Sequence, residues 1–398
     1  MDQDCLIVVI GDSPRLHTGL SRIARDITQR LWAARERLGI QVAQVAWEPR
    51  GVVAPMPPWP LVTFAELEQD WGAEQVLGYV NALTGQLGVD PSKVVLFTIW
   101  DPARCFEYRH TCENLWGYFA VDGHNRHGRF GGPAAETVVR YKRVLAYTEY
   151  GAQVLHDTIA HTNGPGPVMP VSYLPHGHDW GAAQRADAIA NCLPPTDGWQ
   201  LGCVATNQPR KDLGLFFAVL SILREQGEPV HGWLHTDALV TSAWSIPELL
   251  EVYTISQDWC YISAGLADER YLQAMYAGCA VTLAPGRGEG FGYPIVESYA
   301  MGRPVVHTNY GGGKELTLPE GRVDCIAYDT ANPYVLQRPI LHPQDVAIRC
   351  QQLAHQMLAD PTRAAYYAGT VANLHWDQLW PRWETWIRQG LRELRSTP

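Results

Sequence analysis

Residues 280–308 read AVTLAPGRGEGFGYPIVESYAMGRPVVHT. The apolar run Ala280–Leu283 predicts a buried strand, and the glycine-rich stretch around Gly288–Gly292 breaks it into a loop. Pro294, whose fixed φ suits the first turn of a helix, opens a helix to Met301, and Pro304–Thr308 reads as the next strand. Backbone N–H groups at such a loop-to-helix junction, with the positive end of the helix dipole, form a ready site for phosphate or sugar oxygens. Glu289 lies in the loop and Glu297 in the helix, so both can point toward one ligand. A carboxylate accepts hydrogen bonds from vicinal hydroxyls, which a sugar or a ribose offers. On these residues alone, a helix cap with Glu297 on a solvated face is the competing reading.

The same alternation extends outward in both directions. Upstream come the strand Gln200–Ala205, the helix Leu213–Gln226, the strand His231–His235 and the helices Pro247–Val252 and Glu269–Ala277. In the first half, Cys5–Ile10 predicts a buried strand, Gly11–Gly19 a loop and Leu20–Leu38 an amphipathic helix. Val42–Trp47, Lys93–Trp100, Trp116–Val121 and Val144–Thr148 read as further strands, and Pro55–Pro60 as a surface loop. Proline and glycine thicken at Gly164–Pro170 and Pro194–Gly198, bracketing a linker. The expected fold is therefore α/β: two doubly wound Rossmann-like domains facing a cleft, with ligands at the carboxyl ends of the strands. The expected boundaries are 1–178, 179–374 and a C-terminal helix, 375–398. Trp376, Trp380, Trp383 and Trp386 in that helix point to packing against another surface rather than to catalysis.

The 398 residues suit two domains, and 46% hydrophobic with 18% charged residues is a globular composition. A net charge of −10 excludes a protein coated all over by nucleic acid but leaves room for a local basic surface. Nine scattered cysteines without a C-x-x-C pair suit a reducing compartment and give no zinc-ligand spacing. No basic-then-apolar leader and no run of ~20 apolar residues is present, so a cytoplasmic protein without a membrane span is expected.

The string Gly288–Glu297 resembles the E-x7-E signature of family 4 glycosyltransferases, together with Ala300-Met-Gly-Arg-Pro-Val-Val306 and Gly311-Gly-Gly-Lys-Glu315. The resemblance covers nearly the whole chain and is strongest over Leu201–Glu315. It implies the GT-B fold, a nucleotide-sugar donor, expected to be a UDP-sugar, and transfer with retention of anomeric configuration. In Val204-Ala-Thr-Asn-Gln-Pro-Arg-Lys-Asp-Leu213, Arg210 and Lys211 match the family's basic pair for the leaving diphosphate. Two fixed cations are what a departing nucleotide requires. Many members carry a further arginine where this chain has Ala205-Thr206, and Asn207 is the substitute donor. Thr18-Gly-Leu-Ser-Arg22 resembles the family's first glycine turn, with Gly19 allowing close approach and Ser21 capping the helix. Leu174-Pro-His-Gly-His-Asp179 resembles the turn closing the first domain, with His176 and His178 as hinge residues.

Tyr118-Phe-Ala-Val-Asp-Gly-His124 ends a strand where members place a histidine; here Asp122 stands there, able to orient a hydroxyl or take the acceptor's proton. The resemblance thus implies Asp122, Arg210, Lys211 and Glu289 as catalytic residues. It implies Gly19, Asn207, Arg210, Lys211, Glu289, Gly290, Phe291, Gly292 and Glu297 as donor-binding residues. The lone D-x-D, Asp2-Gln-Asp4, precedes the first strand, so no essential metal and no further cofactor is expected. Basic residues between Gly123 and Arg143, with Arg15, suggest an anionic acceptor held by Arg15, His124, Arg126 and Arg129. The alternative is a solvated loop paired with the protein's own carboxylates. Gly11-Asp-Ser-Pro and Phe119-Ala-Val-Asp-Gly123 also resemble a phage and archaeal subgroup, which makes a hydroxymethylated base in DNA the expected acceptor. A lipid or small glycoside as acceptor is a competing reading. So are a nucleotide-sugar epimerase or phosphorylase on the same fold, and a non-catalytic sugar or nucleotide binder.

Overall fold

The computed structural model describes residues 4–65, 72–164, 169–192, 197–331 and 335–396. Parts of both proline- and glycine-rich stretches expected as a linker, 165–168 and 193–196, lie outside the described residues. The chain forms two compact units. One comprises Met1–His176, Asn332–Leu336 and Leu379–Pro398, the other Gly177–Ala331 and Gln337–Gln378.

The first unit holds β1 (Cys5–Asp12), β2 (Ile40–Trp47), β3 (Leu61–Phe64), β4 (Val94–Trp100), β5 (Leu115–Phe119), β6 (Arg143–Ala146) and β7 (Val171–Tyr173). They form one sheet in the order β3-β2-β1-β4-β5-β6-β7, with every pairing parallel. Every residue of β1 and β4 is buried, because parallel strands covered by helices on both faces have no solvated side. The unit's helices are α1 (Gly19–Leu38), α2 (Ala73–Leu87), α3 (Gly132–Val138) and α4 (Glu149–Asn163). Thr18, not Ser21, caps α1: its hydroxyl accepts from the Ser21 amide at 3.0 Å. The Ser21 hydroxyl instead donates to the carbonyls of Ser13 and Leu16, tying down the preceding loop.

The second unit holds β8 (Trp199–Val204), β9 (Val230–Thr236), β10 (Cys260–Ala264), β11 (Val281–Ala284), β12 (Val305–Thr308) and β13 (Arg322–Val323). Their order is β10-β9-β8-β11-β12-β13, again all parallel. Around them lie α5 (Ala182–Asn191), α6 (Leu213–Glu225), α7 (Ile246–Val252), α8 (Glu269–Gly278), α9 (Tyr293–Ala300), α10 (Gly313–Leu316), α11 (Pro343–Ala359) and α12 (Arg363–Thr370). Both sheets are doubly wound, as the sequence predicts. The departures are short or peripheral strands. β3, β7, β10 and β13 lack the continuous apolar run of a central strand, and in β10 only Cys260 is fully buried.

The last helix, α13 (Trp376–Ser396), belongs to the first unit from Leu379 onward. Two of its tryptophans, Trp383 and Trp386, pack there. The Trp383 ring meets Tyr118 edge-on at 4.8 Å, its Nε1–H donates to the Pro175 carbonyl at 3.0 Å, and Trp386 meets Trp116 at 5.2 Å. Arg37–Glu384, Arg143–Glu393 and Arg395–Asp4 ion pairs rim the contact. Exposed pairs of this kind add little, so the aromatic burial carries the docking of the helix. Replacing Trp383 by Ala is expected to destabilise the first unit by about 3–5 kcal/mol, the range for emptying a buried aromatic site. Denaturant unfolding of the two proteins side by side measures this.

Candidate active site

In the second sheet, the chain leaves β8 toward β9 and leaves β11 toward β12, on opposite sides. The loops after β8 and β11 therefore diverge at the carboxyl ends of neighbouring strands, where doubly wound sheets bind ligands. The first loop carries Asn207, Arg210 and Lys211; the second carries Gly286–Gly292. A hydrogen bond from the Arg287 amide to the Arg210 carbonyl, at 2.7 Å, ties the two loops together.

Glu289 joins them electrostatically. Its Oε1 accepts from Lys211 Nζ at 2.5 Å and its Oε2 from Arg210 at 3.3 Å, while Arg210 also donates to the Gly288 carbonyl at 3.1 Å. Glu289 is only 9% exposed. Burial pushes its carboxyl up, but Lys211 and then Arg210 outweigh burial and hold it at about 2. Gly286 makes the geometry possible, since a β-carbon there would stand 2.6 Å from Oε1 of Glu289. Gly292, at φ 106°, turns the loop into α9 in a conformation that side chains rarely adopt. A small cavity opens here, lined by Lys211, Gly286, Glu289, Gly292, Pro294 and Ile295.

Glu297 lies one turn into α9, 5% exposed, and accepts a hydrogen bond from the Tyr276 hydroxyl on α8 at 2.9 Å. This rules out the solvated-face reading of Glu297. Phe291 is buried beside Tyr293, with Gly290 preceding it in the same loop. His307, at the end of β12, shares its Nδ1 with the Ala284 carbonyl at 2.7 Å. Burial lowers its pKa and favours the neutral ring, and its buried Nε2, packed against Gly313, has no partner among the described residues.

Asn207 departs from its expected role as a ligand donor. Its side-chain N–H groups go to the carbonyls of Ala238 and Trp244 at 2.9 and 3.0 Å, and its Oδ1 accepts from Thr241. With its amide bound to Asp237, the residue holds the loop in shape instead.

The first unit has the same strand order, and β1 and β4 flank its point of reversal. There Asp12, 4% exposed, accepts from Trp100 Nε1 at 2.8 Å and from the Thr18 hydroxyl at 3.0 Å, with Gly19 following Thr18 as the first residue of α1. Arg15 does not face outward as expected. Its guanidinium pairs with Glu48 at 2.8 Å and donates to the Val52 and Ala54 carbonyls, while Ser13 donates to the same carboxylate. An arginine committed to three internal acceptors has little left to offer a phosphate. Asp122 follows β5 half-buried, and its charge joins burial in raising the pKa of Asp101, against the pull of Arg104. His124 Nδ1 lies 2.6 Å from the Asn125 carbonyl. Asn125 closes the loop by accepting from the His127 and Arg129 amides. Arg126 reaches His127, and Arg129 reaches His161, both on the exposed side. His176 is buried in the first unit, 3.1 Å from the Tyr118 hydroxyl, and His178 is held in the second by Trp180 and Val371.

The structure thus gathers Lys211, Glu289, Gly292 and the start of α9 around one cavity, with Arg210 bonded to Glu289 beside it. The sequence reading missed Asp12, Tyr276 and His307. Asp12 sits at a strand end, a positional signal; Tyr276 and His307 matter only through contacts distant in sequence. Among the described residues, no group of three or more His, Cys, Asp or Glu side chains is placed to hold a metal ion, and no helix is long and apolar enough to cross a membrane.

The Glu289 carboxyl has a pH signature. Its folded value lies below the unfolded one of about 4.3, so the ion pairs stabilise the fold above that pH and lose their contribution as pH falls toward 2. Wild type is expected to lose stability relative to Glu289→Gln between pH 5 and pH 2. Parallel stability–pH profiles would contradict the pairing.

Residues 200–336, which contain this cavity, match the family model described as glycosyl transferases group 1. No curated protein matches the sequence. Among solved structures, sucrose-phosphate synthase from Thermosynechococcus elongatus is similar over 97% of this chain and 98% of its own, at 15% identity and a TM-score of 0.69. The UDP-forming α,α-trehalose-phosphate synthase of Burkholderia xenovorans aligns over 100% of both chains, at 15% identity and a TM-score of 0.67. HepE of Anabaena, solved in complex with UDP and glucose, aligns over 94% of this chain and 95% of its own, at 14% identity and a TM-score of 0.62. The likeness fixes the fold as GT-B, and with its group 1 domain at residues 200–336 the chain is a glycosyltransferase.

Proposed function

We propose that the protein transfers a sugar, with retention of anomeric configuration, from a UDP-sugar to a hydroxyl of an anionic acceptor. The observation that carries the donor half is the Lys211–Glu289–Arg210 cluster at the point of reversal in the second sheet. A diphosphate brings its negative charge to the same two cations, which then stabilise it as it leaves. Glu289, sharing them, keeps oxygens aimed where a sugar hydroxyl can donate. Because the cations are fixed by the fold, they need no reorganisation as charge develops, and the reaction proceeds without a metal. Glu297, steadied by Tyr276, is the proposed partner of the ribose hydroxyls. Retention rests on the E-x7-E resemblance, and the UDP-bound solved structure supports the choice of nucleotide.

The cluster also favours transfer over mere binding, since a binder has no need to hold paired cations at a leaving group. An epimerase would turn over the nucleotide-sugar alone, so incubating donor and enzyme without acceptor separates that reading. Changing Arg210 and Lys211 together to Ala is expected to lower turnover by more than about a hundredfold, each contributing an oxyanion-type ~2–4 kcal/mol. Activity is expected to survive a chelator. Activity lost to the chelator and restored by magnesium or manganese would overturn the metal-free proposal.

For the acceptor, Arg126 and Arg129 remain on the exposed side of their loop, whereas Arg15, Lys142 and Arg143 are engaged internally. Asp122, nearer the strand end of the same loop, is the proposed orienting carboxylate for the hydroxyl. DNA carrying hydroxymethylated bases is one acceptor with the required charge. A sugar phosphate is the other, and the similar synthases are named for such compounds. Arg126→Ala with Arg129→Ala is expected to weaken acceptor binding while leaving UDP affinity unchanged. For DNA, the double change also flattens the salt dependence of binding. A mass-spectrometric screen of both acceptors with a UDP-sugar identifies the class, and equal transfer to an uncharged glycoside would sink the anionic reading.

A further inference from the structure

At the carboxyl ends of β9 and β10, four side chains form a hydrogen-bonded series that the proposed chemistry does not use. Trp233 Nε1 donates to the Tyr271 hydroxyl at 3.3 Å, Tyr271 donates to Ser263 Oγ at 2.7 Å, and Ser263 Oγ lies 2.9 Å from Nδ1 of His235. The parallel register sets Trp233 opposite Tyr261 and His235 opposite Ser263, so the series runs along one face of the sheet toward the strand ends. An indole N–H only donates, so Tyr271 receives that bond and passes its own hydrogen to Ser263. Of the two directions open to the Ser263–His235 bond, the one that continues the series sends the Ser263 hydrogen to Nδ1. The imidazole is then the neutral tautomer with its proton on Nε2. Burial acts in the same direction by disfavouring the charged ring. The side-chain hydrogen bond of His235 uses Nδ1, which leaves Nε2 for a ligand.

The location is informative. The His235 carbonyl accepts from the Ala205 amide at 3.0 Å, and Ala205 lines the cavity that also holds Lys211 and Glu289. His235 therefore stands one strand over from the proposed diphosphate site, on the ligand-binding edge of the same sheet.

We propose that His235, fixed as an Nε2–H donor by Ser263, Tyr271 and Trp233, reads a keto oxygen of the donor's nucleobase and so selects uracil over cytosine. At position 4 uracil presents a carbonyl oxygen, which accepts this hydrogen, and cytosine presents an amino group, which opposes N–H to N–H. Ser263 is a positioning residue: it acts through the tautomer of His235. The inference rests on the proposed use of a UDP-sugar.

Calorimetric titration of the full chain with UDP and with CDP tests it. Wild type is expected to favour UDP by about tenfold or more, the cost of leaving one buried donor unpaired. His235→Ala is expected to bring the ratio near one by weakening UDP, with pyrophosphate affinity unchanged. His235→Gln, which keeps an N–H donor, retains part of the preference, and Ser263→Ala reduces it while the thermal midpoint stays close to wild type. Equal affinity of wild type for UDP and CDP, or an unchanged ratio in His235→Ala, overturns the proposal and leaves the glycosyltransferase assignment standing. Failure of wild type to bind either nucleotide overturns the proposal together with the UDP-sugar reading beneath it.

Discussion

The contact of Glu289 with Lys211 and Arg210 ties together the loops after β8 and β11 in the second unit. A carboxylate this deeply buried must have its charge compensated, and here Lys211 and Arg210 do so with salt-bridging hydrogen bonds. Losing either cation leaves the carboxylate less compensated. The contact also dictates backbone chemistry: Gly286 must lack a side chain to admit the carboxylate, and Gly292 must turn the loop into α9 at positive φ. The Gly312 amide, which donates to the Glu289 carbonyl at 2.9 Å, extends the same constraint to the glycine run before α10. Loops that look separate in sequence are one electrostatic object.

The two units share a strand order but fill the point of reversal with opposite chemistry. In the second unit it is built around paired cations suited to a leaving anion. In the first it holds Asp12, a buried carboxylate satisfied by the neutral donors of Trp100 and Thr18. Neutral donors hold an anion in place without supplying charge to bind another one. In the proposed function the second unit therefore takes the diphosphate, and the first orients hydroxyls. Strand order alone does not distinguish them; the side chains at the strand ends do.

What the sequence revealed follows from which interactions are local. Central strands such as β1 and β4 announce themselves because burial on both faces demands unbroken apolar runs, while the half-exposed edge strand β10 leaves no such trace. Glu289 and the Arg210–Lys211 pair were legible because each sits in a motif that fixes its loop. Asn207 and Arg15 were misread for one shared reason: a sequence displays donors but hides the acceptors competing for them. The carbonyls of Ala238 and Trp244 claim Asn207, and Glu48 with the carbonyls of Val52 and Ala54 claims Arg15. Tyr276 escaped notice because its partner Glu297 is 21 residues away on another helix.

In the proposed function, charge and neutrality divide the labour along the carboxyl edge of the second sheet. At β8 and β11 the groups are ionised and close together, which suits a step whose difficulty is the appearance of charge on a leaving group. Toward β9 and β10 the series Trp233, Tyr271, Ser263 and His235 is neutral and ordered by the direction of its hydrogens, which suits telling one ligand from another. Ion pairs accept many anions at a range of angles, so they discriminate poorly. A buried neutral donor left unpaired is penalised for every wrong ligand. A fold that placed charges at the β9–β10 end would gain affinity for any anion and lose selectivity. One that placed neutral donors at the β8–β11 end would recognise its ligand and leave the departing charge without support.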